Sequence, residues 1–513
     1  MRRREVILAG FGAIGSIAYG CRDGQSGERF AQSPTEILQA TAAQKTGTTD
    51  PARYLQQLSA PKFQPGHTLP RLSRFGWTLP FEARVELADR WGYALEWGNY
   101  ATIEGVQKAL ADPKSDEAKV MALAASQPNR YPLAVILSRD LPATPKTLWL
   151  HNDLGELVDG RQIWSPEAPV EALKESARLR AEPLRMIRQK APIAVVLNGG
   201  EYGLQVLGGV QKFAAQDPKV VAAKGKREWF DYISDRKAYQ ESFIAKAVRQ
   251  AVPNRRPYVY YPADSNPHHD RYWGWRDWCY DYKYMRNITD YPSSSTYFKE
   301  FNSGWTGNMD ILTEVLNSVG QQIKFGDLLS YNWVCSGWVR ADKSPVFGEI
   351  DRYMGFLKCY YMTGTIGCIA GYFDRPEGDG FAASFDADRP PNWLQQIVVL
   401  GRVHALFSYL EDYLRQGDLL PGPIKHIWSK DTPAYEFPSA DPDVRVVVRK
   451  HRQKPTWSMV AWAAAGKSRS ATVTIPQLGR VELIARPTGS TYTAKIVDNQ
   501  IKLTWIDRQE IQV

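Results

Sequence analysis

The 513-residue chain lacks most of the short signatures that would place it quickly. After Ala18 nothing approaches the ~20 uninterrupted apolar residues of a membrane span, so the body of the chain reads as soluble. Neither a G-x-S-x-G elbow nor a P-loop occurs, which leaves esterase and nucleotide-hydrolase chemistry without support. Cysteine is scarce: Cys21, Cys279, Cys335, Cys359 and Cys368 are the five, and no two form a C-x-x-C pair, so no zinc or redox motif is expected. The net charge of +9 is spread along the chain without a Lys/Arg-rich block, which argues against a nucleic-acid partner. No internal repeat is evident.

The N-terminal stretch REVILAGFGAIGSIAYGC carries Gly10, Gly12 and Gly15 in a G-x-G-x-x-G spacing. A dinucleotide site needs a helix next and then a second strand with an acidic residue about 20 positions on. Gly20, Gly24 and Gly27 break any helix, and no β-branched run precedes Thr35. No cofactor is therefore expected. Arg2 to Arg4, the apolar Val6 to Ala18 and the small residues before Cys21 instead make an export signal, residues 1–21. It resembles a twin-arginine signal ending in a lipobox, which would make Cys21 a lipidated first residue and the only membrane attachment.

Aromatic residues are the most informative feature that is present. They form 12% of the chain, with 17 Trp and 26 Tyr, and many cluster in polar stretches such as RYWGWRDWCYDYKY (271–284). A ring offers a flat apolar face to the C–H face of a sugar while Tyr and Trp keep a polar edge.

Residues 22–65 read as a tether and lead-in, and 66–435 alternate short apolar runs with helical patterns. The expected strands are Ala94–Trp97, Leu133–Leu137, Thr147–Leu150, Ile193–Leu197, Tyr258–Tyr261, Ser294–Phe298, Leu328–Trp333 and Ile366–Phe373. Eight strands, each followed by helix, predict an α/β fold closing into a (β/α)8 TIM barrel. Over 436–513 the helices stop and short strands with regular turns predict a small all-β sandwich.

Catalytic groups in such a barrel come from the C-terminal strand ends and the segments after them. Those ends supply Glu96 and Trp97, then His151, Asn152 and Asp153, then Asn198, Glu201 and Tyr202. Further along come Asp264, His268, His269 and Asp270, then Glu300, Trp333, Trp338 and Asp374. Carboxylates, amides and large rings suit a carbohydrate site, where two carboxyl groups must flank the bond to be cleaved. Glu201 is the first choice for general acid/base. Asp264 and Glu300 are favoured as its partner, since strands five and six lie beside strand four, with Glu349 and Asp374 as alternatives. Glu96, Trp97, Asn152, Asp153, Asn198, Tyr202, His268, Trp333, Trp338 and Asp374 are the candidate substrate-binding residues. The histidines lack a diagnostic metal spacing, so no metal is expected.

The barrel, its strand-four ending and the sandwich that follows resemble (β/α)8 glycoside hydrolases. In the large retaining clan of those enzymes an Asn-Glu pair ends strand four and a nucleophilic Glu ends strand seven. Here two glycines separate Asn198 from Glu201, and YNWVCSGW at strand seven carries no acidic residue. The resemblance implies an enzyme acting on a poly- or oligosaccharide, and the N-terminal signal implies that it is exported. Two rivals are a glycan-binding envelope lipoprotein without activity and a polysaccharide lyase.

Overall fold

A computed structural model describes residues 50–507 apart from 75–78, 139–145, 159–162, 199–209, 254–256, 261–281, 298–307, 327–328, 340–344, 348–349, 372–391, 427–428, 465–466 and a few single positions. After helix α1 (Pro51–Gln57), the chain alternates strand and helix. The first half runs β1 (Ser73–Arg74), α2 (Phe81–Arg90), β2 (Leu95–Ala101), α3 (Ile103–Ala111), α4 (Asp116–Ser126), β3 (Leu133–Leu137), α5 (Val170–Arg188) and β4 (Ile193–Asn198). Then come α6 (Val210–Ala214), α7 (Pro218–Lys224), α8 (Trp229–Ala251), β5 (Tyr258–Tyr260), α9 (Tyr282–Met285), β6 (Tyr291–Pro292) and β7 (Ser295–Tyr297). The remainder is α10 (Asn308–Lys324), β8 (Ser330–Cys335), a β9–β10 hairpin (Gly337–Val339 and Pro345–Phe347), α11 (Ile350–Met362), β11 (Thr365–Gly371) and α12 (Asn392–Ser408). Local chemistry sets several helix starts: Thr102 and Ser115 accept from backbone N–H groups in the first turns of α3 and α4, as N-caps do.

All barrel pairings are parallel, and they close. One arc runs β2-β3-β4-β5-β6 and the other β1-β11-β8-β7. At one seam Leu72 bridges Tyr93, with Leu72 N donating to Gly92 O at 3.0 Å and Ala94 N to Leu72 O at 2.8 Å. At the other, β6 pairs with β5 while β7, two residues later, pairs with β8. Eight parallel strand positions ringed by helices make a (β/α)8 barrel.

Seven of the expected strands are barrel strands. The eighth is not: within Thr147–Leu150 the chain makes a 3-10 turn (Lys146–Leu148), and Trp149 bridges Trp164. The true first strand, Leu72–Arg74, was not expected. The apolar side chain of Leu150 is buried elsewhere, in a satellite core with Val158, Ile163, Phe213, Val220 and Tyr232. That core fastens the excursion after β3 to α6, α7 and the start of α8.

The barrel interior is filled by Ala94, Ala134, Ile136, Val195, Leu197, Val259, Tyr331, Trp333 and Ile369. Gly371 makes room for the largest of these, because a Cβ there would sit 2.1 Å from the Trp333 ring. Outside the strands, two further apolar layers join sheet to helices.

After α13 (Glu411–Gln416) the chain is all β: β12 (Gly417–Leu419), β13 (Lys425–His426), β14 (Ser429–Pro433), β15 (Phe437–Pro438), β16 (Val444–His451), β17 (Thr456–Ala463), β18 (Arg469–Ile475), β19 (Gly479–Ala485), β20 (Ser490–Val497) and β21 (Gln500–Trp505). In the antiparallel sheet β12-β16-β17-β20-β21, with β15 beside β16, the central strands β16 and β17 are buried on both faces. Alternation decides which residue goes where. Val446, Val448, Met459 and Ala461 face the β18–β19 hairpin, whereas Val447, Val460 and Trp462 join the barrel's helix layer beside Phe356. This agrees with the expected sandwich and adds that its second face is covered by the barrel.

Polar contacts reinforce that junction. The Lys358 ammonium on α11 meets Asp507 at 2.9 Å and the Gly489 carbonyl at 2.7 Å, and the Trp462 indole donates to Pro487 O at 2.8 Å. Cys359 and Cys368 are buried free thiols. Among the described residues no helix is long and apolar enough to cross a membrane.

Candidate active site

The C-terminal ends of eight parallel strands converge on one face of a barrel, so the side chains there depend on which way each strand's alternation runs. Along β2, Leu95 and Trp97 lie in the helix-facing layer, and Ala94 lies in the lumen. Glu96 therefore shares the lumen side, next to its register partner Ala134. It is buried and ion-paired to Arg74 at the end of β1, also buried. An oppositely charged partner is what a buried carboxylate requires. Trp97, expected to bind substrate, is instead 3% exposed and packs with the helices. Its odd-numbered register with Leu95 is the reason.

The same alternation turns Asn198 backwards. Val196 faces the helices, Leu197 the lumen, and Asn198 the helices again, fully buried. Its amide donates to the Tyr258 hydroxyl at 2.7 Å and to Glu241 Oε2 of α8 at 3.5 Å. Burial raises the Tyr258 pKa far above its ordinary value, and the neighbouring Glu241 carboxylate adds to the effect. Asn198 is thus placed behind the strand rather than at the mouth, a correction to its expected contact with substrate.

Trp333 lies in the lumen, 1% exposed, against Gly371, so it fills the barrel instead of presenting a stacking face. Below it, the Tyr331 hydroxyl bonds Ser73 Oγ at 2.9 Å and donates to Arg71 O at 2.7 Å. Trp338 falls within β9, opposite Val346 of β10, on a hairpin the sequence reading did not anticipate. Asn152 and Asp153 sit in a surface turn. The Asn152 side-chain oxygen accepts from Leu154 N at 3.0 Å and Glu156 N at 2.9 Å, and its amide donates to Glu156 Oε2 at 3.2 Å. Its hydrogen bonds are accordingly used in holding that turn. Glu201, Tyr202, Asp264, His268, Glu300, Asp374 and Cys21 lie outside the described residues.

No family profile and no curated protein matches the chain. Among solved structures it is similar to glycoside hydrolases. A β-galactosidase from the Antarctic haloarchaeon Halorubrum lacusprofundi is 12% identical with a TM-score of 0.44, the match covering 68% of this chain and 58% of that one. The chain therefore spans little more than half the length of that enzyme. An α-amylase from Geobacillus thermoleovorans is 12% identical at TM-score 0.40, covering 73% of this chain and 80% of the other. A family 39 glycoside hydrolase from Bacteroides cellulosilyticus is 11% identical at TM-score 0.39, covering 83% and 81%. The barrel itself rests on the strand pairing above, and no residue role is taken from these proteins.

Two features of the strand ends escaped the sequence reading. Arg74 was missed because a two-residue strand has no period to detect. The Lys237–Glu241 pair on α8 was missed because such i, i+4 pairs ordinarily lie on a solvated helix face, yet here both side chains are no more than 2% exposed. Among the described residues no group of three His, Cys, Asp or Glu could hold a metal ion.

Proposed function

We propose that the chain is a glycoside hydrolase working at the C-terminal face of the barrel, with Glu201 as general acid/base. The observation that carries this reading is the parallel pairing of β4 with β5. Glu201 follows the end of β4 by three residues, and Asp264 follows the end of β5 by four. Directly paired strands make Asp264 the better partner. Glu300, after β7, belongs to the next strand position round, so it does not adjoin β4 as expected. Carboxyl groups about 5–5.5 Å apart would act with retention and about 6.5–9.5 Å with inversion.

Glu201→Gln tests the assignment on 4-nitrophenyl glycosides and on a panel of polysaccharides assayed by reducing-sugar release. Turnover should fall by about 10²-fold or more while binding persists. A variant as active as the wild type would remove Glu201 from the chemistry.

One observation favours a second reading. β8 contains no carboxylate, so a barrel that binds glycan without cleaving it would look the same at that strand. Wild-type protein that binds a polysaccharide in affinity electrophoresis but never cleaves it would select that reading. We further propose export through residues 1–21, with Cys21 as lipid attachment site. Cys21→Ala should then move the protein from the membrane to the soluble envelope fraction.

A further inference from the structure

Behind the C-terminal end of β4, the apolar layer between strands and helices carries charge. Lys237 and Glu241 stand one turn apart on α8 and pair at 3.4 Å, both almost fully buried. Glu241 accepts from the Asn198 amide, which also donates to the Tyr258 hydroxyl on β5. Alongside, Arg180 of α5 is buried and donates to the Ser138 carbonyl just past β3. A buried ion pair is a poor way to gain stability, since well-packed apolar residues of similar volume do as well or better. What such a pair supplies here is geometry: Glu241 Oε2 on the helix, together with the Tyr258 hydroxyl on the neighbouring strand, accepts from the side-chain amide of the last residue of β4.

We propose that Lys237, Glu241, Asn198 and Tyr258 form a positioning assembly that holds the C-terminal end of β4 in place. Glu201 follows three residues on in the sequence, so the link from this assembly to turnover rests on the function proposed above. Lys237 compensates the Glu241 charge, Glu241 and Tyr258 hold the Asn198 amide, and Asn198 holds the strand end. None of the four is a catalytic residue.

The test is the double variant Lys237→Met/Glu241→Leu, with Tyr258→Phe as a milder second variant that removes one acceptor of the amide. The double variant should keep or raise the wild-type Tm. Its kcat on the 4-nitrophenyl glycoside best cleaved by the wild type should fall about 10- to 100-fold, with KM within about twofold, as misplacement of a reacting group predicts. Peptides ending at Asn198 should exchange amide hydrogen faster. Tyr258→Phe should show the same pattern more weakly. Unchanged exchange at Asn198 in both variants would overturn the assembly. Faster exchange with unchanged kcat would overturn its link to catalysis. If the wild type cleaves no glycoside, the exchange result still decides the assembly, and it is the reading of Glu201 that fails.

Discussion

Replacing Lys358 by Met should cost about 4 kcal/mol of stability. The Lys358 ammonium is wholly buried between α11 and the C-terminal strands, bonded to Asp507 Oδ1 at 2.9 Å and Gly489 O at 2.7 Å. The other Asp507 oxygen accepts from Thr491 N at 2.6 Å and from the Trp505 indole. Removing the ammonium leaves a carboxylate buried without its cation, a loss of about 3–5 kcal/mol. The Gly489 carbonyl loses its donor too, about 1 kcal/mol more, partly offset by the apolar packing of Met. Against a typical 5–15 kcal/mol, this is a large fraction of the total. Combining Lys358→Met with Asp507→Asn removes the stranded charge and keeps an acceptor for Thr491 N. The double variant should therefore be more stable than Lys358→Met alone, with a coupling of about 2 kcal/mol or more. Urea unfolding followed by tryptophan fluorescence and by circular dichroism measures both quantities, and coincident curves would establish a single transition. The pair joins barrel to sheet, so a lower m-value in Lys358→Met would show the two coming apart separately. The reasoning fails if Lys358→Met costs less than about 1 kcal/mol, or if the two single changes simply add.

His404 on α12 is buried with its Nδ1 3.0 Å from the Tyr361 hydroxyl, and burial pushes its pKa down to about 3. The unfolded chain takes up this proton near pH 6.5 and the folded one does not. Its stabilising contribution is complete above that pH and lost as the pH falls toward 3, at about 1.4 kcal/mol per unit. His404→Gln should flatten Tm against pH between 7 and 4, and parallel profiles would refute this. Gly355→Ala would put a Cβ 2.2 Å from Trp462 Nε1 and 2.3 Å from Pro487 O, so a loss of about 2 kcal/mol is expected in the urea midpoint; a neutral result would mean α11 can shift freely. The Arg449 guanidinium donates to the carbonyls of Tyr413 at 3.1 Å, Met362 at 3.3 Å, Leu414 at 3.1 Å and Gly417 at 2.7 Å. Arg449→Lys should lose about 2 kcal/mol or more, because one ammonium cannot span that fork, and wild-type stability in the Lys variant would contradict it.

Much of the architecture was present in the sequence for a simple reason. Runs such as LAVIL (133–137) and IAVVL (193–197) are apolar on both faces, as strands covered on both sides must be. The tail from Val444 onward alternates with period two and contains no helical pattern. Thr147–Leu150 misled because an apolar run reports burial and not what buries it; a satellite core of two loop excursions does so here. Leu72–Arg74 went unseen because its strand character comes from its neighbours, Tyr93 on one side and Ile369–Ala370 on the other.

By itself, then, the sequence determined seven of the eight barrel strands and the alternation of strand with helix, the all-β tail and the stock of carboxylates, amides and rings that follow the expected strands. Only the tertiary structure decided closure of the ring and the facing of each side chain. Period-two alternation relates residues to one another, but hydrogen-bond register with adjacent strands decides which set points inward. That register sends Trp97 and Asn198 to the helix layer and Glu96 to the lumen beside Arg74. Likewise, Lys237 and Glu241 have the spacing of a surface pair and are buried only because the strand end and its neighbours pack over them.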